Sequence, residues 1–232
     1  MSTAAPNFAP LTIDVISDVV CPWCFVGKRQ LEQALDRFKQ AYPDQPAPTV
    51  RWHPFQLNPD LPVEGIDRDQ YLQKKFGTPD GGAIYDRVRK AAGDVGLDLK
   101  MDDIQRQPNT VRAHAVISLS HEESQDAVVE ALFEAYFQQG RDLTDDATLI
   151  EVAREGGIPE PAIEAAISDE SVHETIRRAD GSARELGVQG VPFFIFNQKL
   201  AVSGAAGSET LMQAAEKVLL EADATPDEAA TQ

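Results

Sequence analysis

The residues best suited to chemistry are the chain's only two cysteines, Cys21 and Cys24, in the run Cys21-Pro22-Trp23-Cys24. Two intervening residues close a loop too short for a useful structural cross-link, because the gain from a disulfide grows with loop length. The pair therefore reads as a reacting dithiol. Just upstream, Leu11 to Ser17 (Leu-Thr-Ile-Asp-Val-Ile-Ser) is rich in β-branched residues, with Leu11, Ile13 and Val15 on one face, which predicts a strand. Downstream, Leu31, Leu35 and Phe38 recur at helical spacing and predict a helix from about Pro22 to Ala41, with Pro22 at its first position. Cys21 then sits at a helix N-terminus, where unpaired N–H groups and the macrodipole favour a thiolate, making it the nucleophile. Cys24 lies one turn further in and is the resolving thiol, the one that attacks the mixed disulfide formed at Cys21. Pro22 has no N–H to leave unpaired, and Trp23 offers an apolar surface beside the sulfur.

Two charges near the dithiol oppose each other. Asp18, three residues before Cys21, disfavours a thiolate there, whereas Lys28, on the same helix face as both cysteines, favours it. The alternative for Asp18 is a partner for helix-end N–H groups, and for Lys28 a solvated surface charge. Metal chemistry fits the cysteines poorly. A structural zinc needs four ligands and would have to recruit among His53, His114, His121 and His173, while haem attachment needs a histidine where Phe25 stands.

The elements that position the dithiol can be read from periodicity. Thr49 to Phe55 (Thr-Val-Arg-Trp-His-Pro-Phe) predicts a second strand after a proline-rich break at Pro43, Pro46 and Pro48, completing a βαβ unit. From about residue 60 to 186 the period is helical, strongest at Val128, Val129, Leu132, Phe133, Tyr136 and Phe137, and six or seven helices are expected with almost no strand. Gly140, Gly156-Gly157 and Gly187 suit helix ends, and Thr144 before Asp145 and Asp146 suits a start. Pro192 to Phe196 and Lys199 to Ser203 then read as a hairpin about Asn197-Gln198, and Leu211, Ala215, Val218 and Leu219 as a closing helix. The expected organisation is an α/β domain from 11–59 and 187–222, a helical insertion at 60–186, and disordered ends at 1–10 and 223–232.

The chain carries 21 Lys plus Arg against 38 Asp plus Glu, a formal charge of -17, which repels phosphates and argues against nucleic acid as a partner. No stretch approaches the roughly 20 apolar residues of a membrane-spanning helix. The first ten residues lack the basic and apolar character of a secretory signal, so a cytoplasmic location is expected, where cysteine pairs are usually catalytic.

These features together resemble the DsbA-like branch of the thioredoxin-like superfamily, and within it the FrnE-like proteins of bacterial cytoplasm. The resemblance rests on Asp18-x-x-Cys21-Pro22-Trp23-Cys24 with Gly27-Lys28, on Trp52-x-Pro54-Phe55-x-Leu57-Asn58-Pro59, on Asn109-Thr110 followed by Ala113-His114, and on Gly190-Val191-Pro192-x-Phe194. It implies a thioredoxin-like fold with a helical domain inserted after the first βαβ unit. It also implies a cis peptide bond at Val191-Pro192 facing the dithiol, with the Val191 backbone free to pair with an extended substrate. Asn109 and His114 match a family feature and would line the cleft; a capping Asn109 and a hydrogen-bonded core His114 are the structural alternatives. Ser208 before the last helix is either a cap or part of a carboxylate site. One departure is Gly204-Ala205-Ala206, where many relatives have glutamine in the third position.

The expected function is thiol-disulfide exchange on protein or small-molecule thiols and disulfides, with no cofactor beyond the dithiol, no metal, and glutathione as a candidate co-substrate. The same architecture is similar to 2-hydroxychromene-2-carboxylate isomerases and kappa-class glutathione transferases, which typically carry serine at the position of Cys21. A glutathione-dependent isomerase or transferase, or a chaperone-like binder of unfolded chains, are therefore the rival readings.

Overall fold

The computed structural model describes residues 10–223; apart from residues 10 and 223, the expected disordered ends lie outside them. The chain starts with strand β1 (Thr12–Ser17), which runs into helix α1 (Pro22–Ala41) and then strand β2 (Thr49–Pro54), parallel to β1. Near the other end, β5 (Phe193–Phe196) pairs antiparallel with β1, β6 (Leu200–Ser203) pairs antiparallel with β5, and helix α9 (Ser208–Asp223) follows. The sheet order is β2-β1-β5-β6, so the strand leading to the cysteines is central.

Alternation along the strands sets the two faces. Ile13, Val15, Phe194 and Phe196 are buried in the main core, together with Phe25 and Val26 of α1 and Leu211 and Val218 of α9. The opposite face is covered by a smaller cluster of Ile16, Phe55, Ala183 and Val188, against which Phe193 and Ile195 pack. The β5–β6 hairpin turns through Asn197 and Gln198, whose φ values of 47° and 56° give the twist that a two-residue turn needs. Asn197 is tied down by accepting from the Thr12 backbone N–H at 2.7 Å while its own N–H donates to Thr12 O at 2.9 Å.

Between β2 and β5 lie α2 (Arg68–Phe76), α3 (Gly82–Asp94), α4 (Val111–Ser118), α5 (Glu122–Phe137), α6 (Asp146–Glu155), α7 (Glu160–Ser168) and α8 (Glu170–Glu185). Two details differ from expectation. A minimal antiparallel pair, β3 (Ile66–Asp67) with β4 (Arg106–Gln107), interrupts the helices; two-residue strands are too short to leave a period in the sequence. Helix α6 is capped by Asp145, whose carboxylate accepts from the Thr148 N–H at 2.9 Å, and Thr144 lies outside it. Gly140, Gly157 and Gly187 do follow helix ends, each at positive φ.

The helical segment grips the sheet domain through α5. Phe133 stacks on Phe25 of α1 with ring centroids 5.0 Å apart and planes 10° from parallel, and Phe137 lies 6.3 Å from both rings. Helix α8 packs on β2 from the other side. Among the described residues no helix is long and apolar enough to cross a membrane.

Candidate active site

The dithiol sits where β1 hands over to α1. Cys21 is the N-cap in an extended conformation (φ −94°, ψ 111°), and Pro22 occupies the first turn. The Cys21 N–H donates to Asp18 O at 3.0 Å and its carbonyl accepts from the Cys24 N–H at 2.9 Å, so the turn that presents the sulfurs is fixed by the backbone. Both cysteines are free thiols, Cys21 5% and Cys24 1% exposed. Burial pushes the Cys24 thiol well up, and the adjacent Cys21 sulfur pushes it the same way. The Ser17 hydroxyl and the Asp18 backbone N–H act in the opposite direction.

The far end of the chain completes the site. The Val191-Pro192 peptide is cis, Pro192 is buried, and the Cys21 thiol donates to Val191 O at 3.6 Å. Trp23 is half-buried against the main core. The distance between α1 and the proline depends on Gly27: a Cβ there would stand 2.8 Å from Pro192 Cγ and 3.2 Å from Phe194 Cζ. A proline ring cannot swing aside as the end of a flexible side chain can. Gly27→Ala is therefore expected to lose about 1–3 kcal/mol to overpacking, against at most about 1 kcal/mol gained in helix propensity. Because relief moves Pro192 away from Cys21, the exchange rate should fall as well. A urea midpoint together with an initial-rate assay reads both; an unchanged rate in a destabilised protein would separate the glycine from the site.

Asp18 is fully buried and does not serve the helix end. Its Oδ2 accepts from the Leu57 N–H at 2.7 Å, in the loop after β2, and its Oδ1 lies 3.5 Å from His114 Nε2. His114, on α4, is 4% exposed, and its Nε2 is 3.2 Å from Phe55 O, so it is a buried, hydrogen-bonded histidine. Asn109 precedes the cap of α4, Thr110; its Oδ1 accepts from the Val111 N–H and from Gln56 Nε2, both at 3.0 Å, and its Nδ2 donates to Pro59 O and Leu61 O. Asp18, Asn109 and His114 thus converge on one loop, residues 55–61, and hold it. Asp180 adds a fourth hold by accepting from the Gln56 N–H at 2.8 Å, while Arg184 pairs with Asp180 and covers the Phe55 ring at 4.2 Å. In the sequence Asp180 and Arg184 carry only an i,i+4 spacing, which any exposed helical ion pair shares.

Lys28 is a correction on the reading of a solvated surface charge. Its side chain is 2% exposed, so its charge is not solvated, and its ion-pair partners are carboxylates: Glu32, Asp126 at 2.9 Å and Glu130 at 2.8 Å. Burial alone would lower the ammonium's pKa, but Asp126 and Glu130 outweigh it and the net shift is upward. Through these pairs Lys28 fastens α1 to α5.

A two-cysteine turn at a helix start, faced by a proline just before a strand antiparallel to the first, on a sheet interrupted by helices, defines a thioredoxin-like protein with a helical insertion. The chain belongs to the family of the DSBA-like thioredoxin domain, which it matches over residues 12–216. It is similar to the uncharacterized protein YwbO of Bacillus subtilis, 26% identical over 204 residues, 87% of this chain and 94% of that one. Among solved structures it resembles a "probable DsbA oxidoreductase" from Streptomyces coelicolor, with TM-score 0.80, 28% identity and 93% and 92% of the two chains covered. A 2-hydroxychromene-2-carboxylate isomerase shares the fold at TM-score 0.67 and 18% identity, covering 93% of this chain and 100% of that one.

Proposed function

We propose that the protein is a thiol-disulfide oxidoreductase acting through Cys21 and Cys24. The observation that carries this reading is the placement of the Cys21 sulfur: at the N-cap of α1 and 3.6 Å from Val191 O, with Cys24 buried one helical turn behind it. In the exchange step the Cys21 thiolate attacks one sulfur of a substrate disulfide, a new S–S bond forms, and the other substrate sulfur leaves as a thiolate. Cys24 then attacks Cys21, releasing the second substrate thiolate and leaving a Cys21–Cys24 disulfide. Every electron in this sequence comes from the dithiol itself, so no further cofactor is needed, and glutathione suits the role of the thiol that resets it. Membership of the family and the likeness to the Streptomyces coelicolor protein support thiol or disulfide substrates in general. The cytoplasm is the proposed site of action, supported by the fold shared with a cytosolic disulfide reductase of Pseudomonas aeruginosa.

The test is insulin reduction by dithiothreitol with wild type and Cys21→Ser, together with titration of the wild-type dithiol against glutathione. Wild type should accelerate insulin precipitation and Cys21→Ser should return to the uncatalysed rate, while the titration gives the direction in which the protein works. Equal rates from both proteins would sink the proposal and favour glutathione-dependent isomerisation or chain binding.

A further inference from the structure

Two lysine or arginine side chains are buried among the described residues, and they are matched in different ways. Lys28 has three carboxylates against its ammonium. Arg68, 3% exposed at the start of α2, has none among the described residues. Its guanidinium donates from Nη1 to Gln107 Oε1 and to the Tyr136 hydroxyl at 3.4 Å, and from Nη2 to the Tyr85 hydroxyl, all neutral groups. The ring centroids of Tyr71, Tyr85 and Tyr136 lie 5.5, 5.7 and 6.0 Å from its central carbon. They offset part of the cost of taking the charge out of water but supply no counter-ion.

Donors are left over as well. The Nε–H of Arg68 is buried without an acceptor, and so is the side-chain Nε2 of Gln107. Because a guanidinium can only donate, the Tyr85 oxygen must accept from it, and the hydroxyl hydrogen of Tyr85 then finds no acceptor among the described residues. Unmatched buried donors are unfavourable, and several of them around one unpaired cation call for an anionic acceptor.

Arg68 and Tyr85 line the inner end of a cavity of about 320 Å³ between α2, the start of α3 and the segment before β4, a volume suited to a small molecule. Leu72, Met101 and Ile104 are its buried apolar walls, and Asp69, Asp80 and Asp102 stand exposed at its rim. Asp102 is paired with Arg89 at 2.8 Å and Asp80 accepts from the Gly82 N–H at 3.0 Å, whereas the Asp69 side chain has no ion pair or hydrogen bond among the described residues. A lone anion would be repelled by that rim, but a zwitterion meets the opposite charge at each end.

We infer that this cavity binds a free α-amino acid with an apolar side chain. Arg68 and Tyr85 take its carboxylate, Asp69 takes its ammonium at the rim, and Leu72, Met101 and Ile104 pack against its side chain. The cavity shares no lining residue with the turn that carries Cys21 and Cys24, so the inference stands apart from the dithiol reading.

Calorimetric titration of the protein with leucine tests this, beside leucinamide, which lacks the carboxylate, N-acetylleucine, which lacks the ammonium, and reduced glutathione. Leucine should bind at one site per chain, and leucinamide and N-acetylleucine, each short of one charge, should bind about tenfold or more weakly. Tyr85→Phe keeps the ring and should weaken leucine about tenfold or more. Asp69→Asn, at an exposed position, should weaken leucine by a similar factor yet leave N-acetylleucine unchanged, a pattern that a merely structural Asp69 would not produce. Arg68→Met replaces an unpaired buried charge with an apolar chain and should abolish binding; if it fails to fold by circular dichroism, the two milder variants still decide. Cys21→Ser should bind leucine as wild type does, so a failure of the dithiol chemistry would be told apart from a failure here. An absence of heat with leucine, leucine bound no more tightly than both of its one-charge analogues, wild-type affinity in both Tyr85→Phe and Asp69→Asn, or binding of glutathione in place of leucine would each overturn the inference.

Discussion

Cys24→Ser is expected to accumulate a covalent mixed disulfide at Cys21 and to turn over about a hundredfold or more slowly than wild type. The reason is proximity. Cys24 stands one turn below Cys21, with its N–H bonded to the Cys21 carbonyl at 2.9 Å, so in the wild type its sulfur competes at an effective concentration that no external thiol in millimolar amounts can match. Serine keeps the size and the hydrogen-bonding capacity of the side chain but cannot displace a thiolate from sulfur. The adduct should be visible by intact-protein mass spectrometry after mixing with one equivalent of a disulfide peptide, and should disappear on adding dithiothreitol. Turnover close to wild type, with no adduct, would mean that Cys21 works alone and that external thiols resolve it.

Phe133→Ala should be the most damaging single substitution for stability, at about 3–5 kcal/mol. Its ring is fully buried and stacks on Phe25, the residue after Cys24, so truncation opens a cavity at the seam between α5 and the cysteine helix. For a chain of this length each kcal/mol is worth about 2–4 °C, giving a fall in Tm of roughly 10 °C. The neighbouring ion-pair cluster about Lys28 bridges the same two helices but should not make good the loss, because it lies at a different place along the seam and its carboxylates are partly hydrated. Calorimetry on wild type and variant decides it; a fall of less than about 1 kcal/mol would show that the seam is held elsewhere.

What could be read from the sequence was whatever depends on neighbours a few residues away. The strand-to-helix handover at Cys21 shows in a change of period from two to 3.6 and in Pro22 at a first helical turn, and α1 begins and ends at the predicted residues. The β5–β6 hairpin shows in two apolar runs flanking Asn197-Gln198. Lys28 could not be read in this way. Its position on a helix face is local information, but the two carboxylates on α5 that bury its charge come about a hundred residues later. The same holds for the loop after β2. Trp52 to Pro59 stood out as a motif, yet its holders, Asp18, Asn109 with His114, and Asp180, come from three separate places in the chain. The seven helices between β2 and β5 match the number expected at its upper limit, while β3 and β4 are two residues each and leave no signal.

The order of the sheet, β2-β1-β5-β6, has a consequence for how the protein is made. Strand β1 and the cysteines leave the ribosome early, but β1's second neighbour is encoded at Phe193–Phe196, after all seven intervening helices. At synthesis rates of about 5–20 residues per second, that leaves β1 with one open edge for on the order of 10 s. During that interval an apolar strand with unpaired N–H and C=O groups is a template for other nascent chains, and the dithiol is exposed without Val191 and Pro192 beside it. A newborn copy is thus a client for chaperones and a target for oxidants before it becomes a catalyst, and growth conditions that slow elongation should lower its yield more than that of proteins whose central strand is paired from the start.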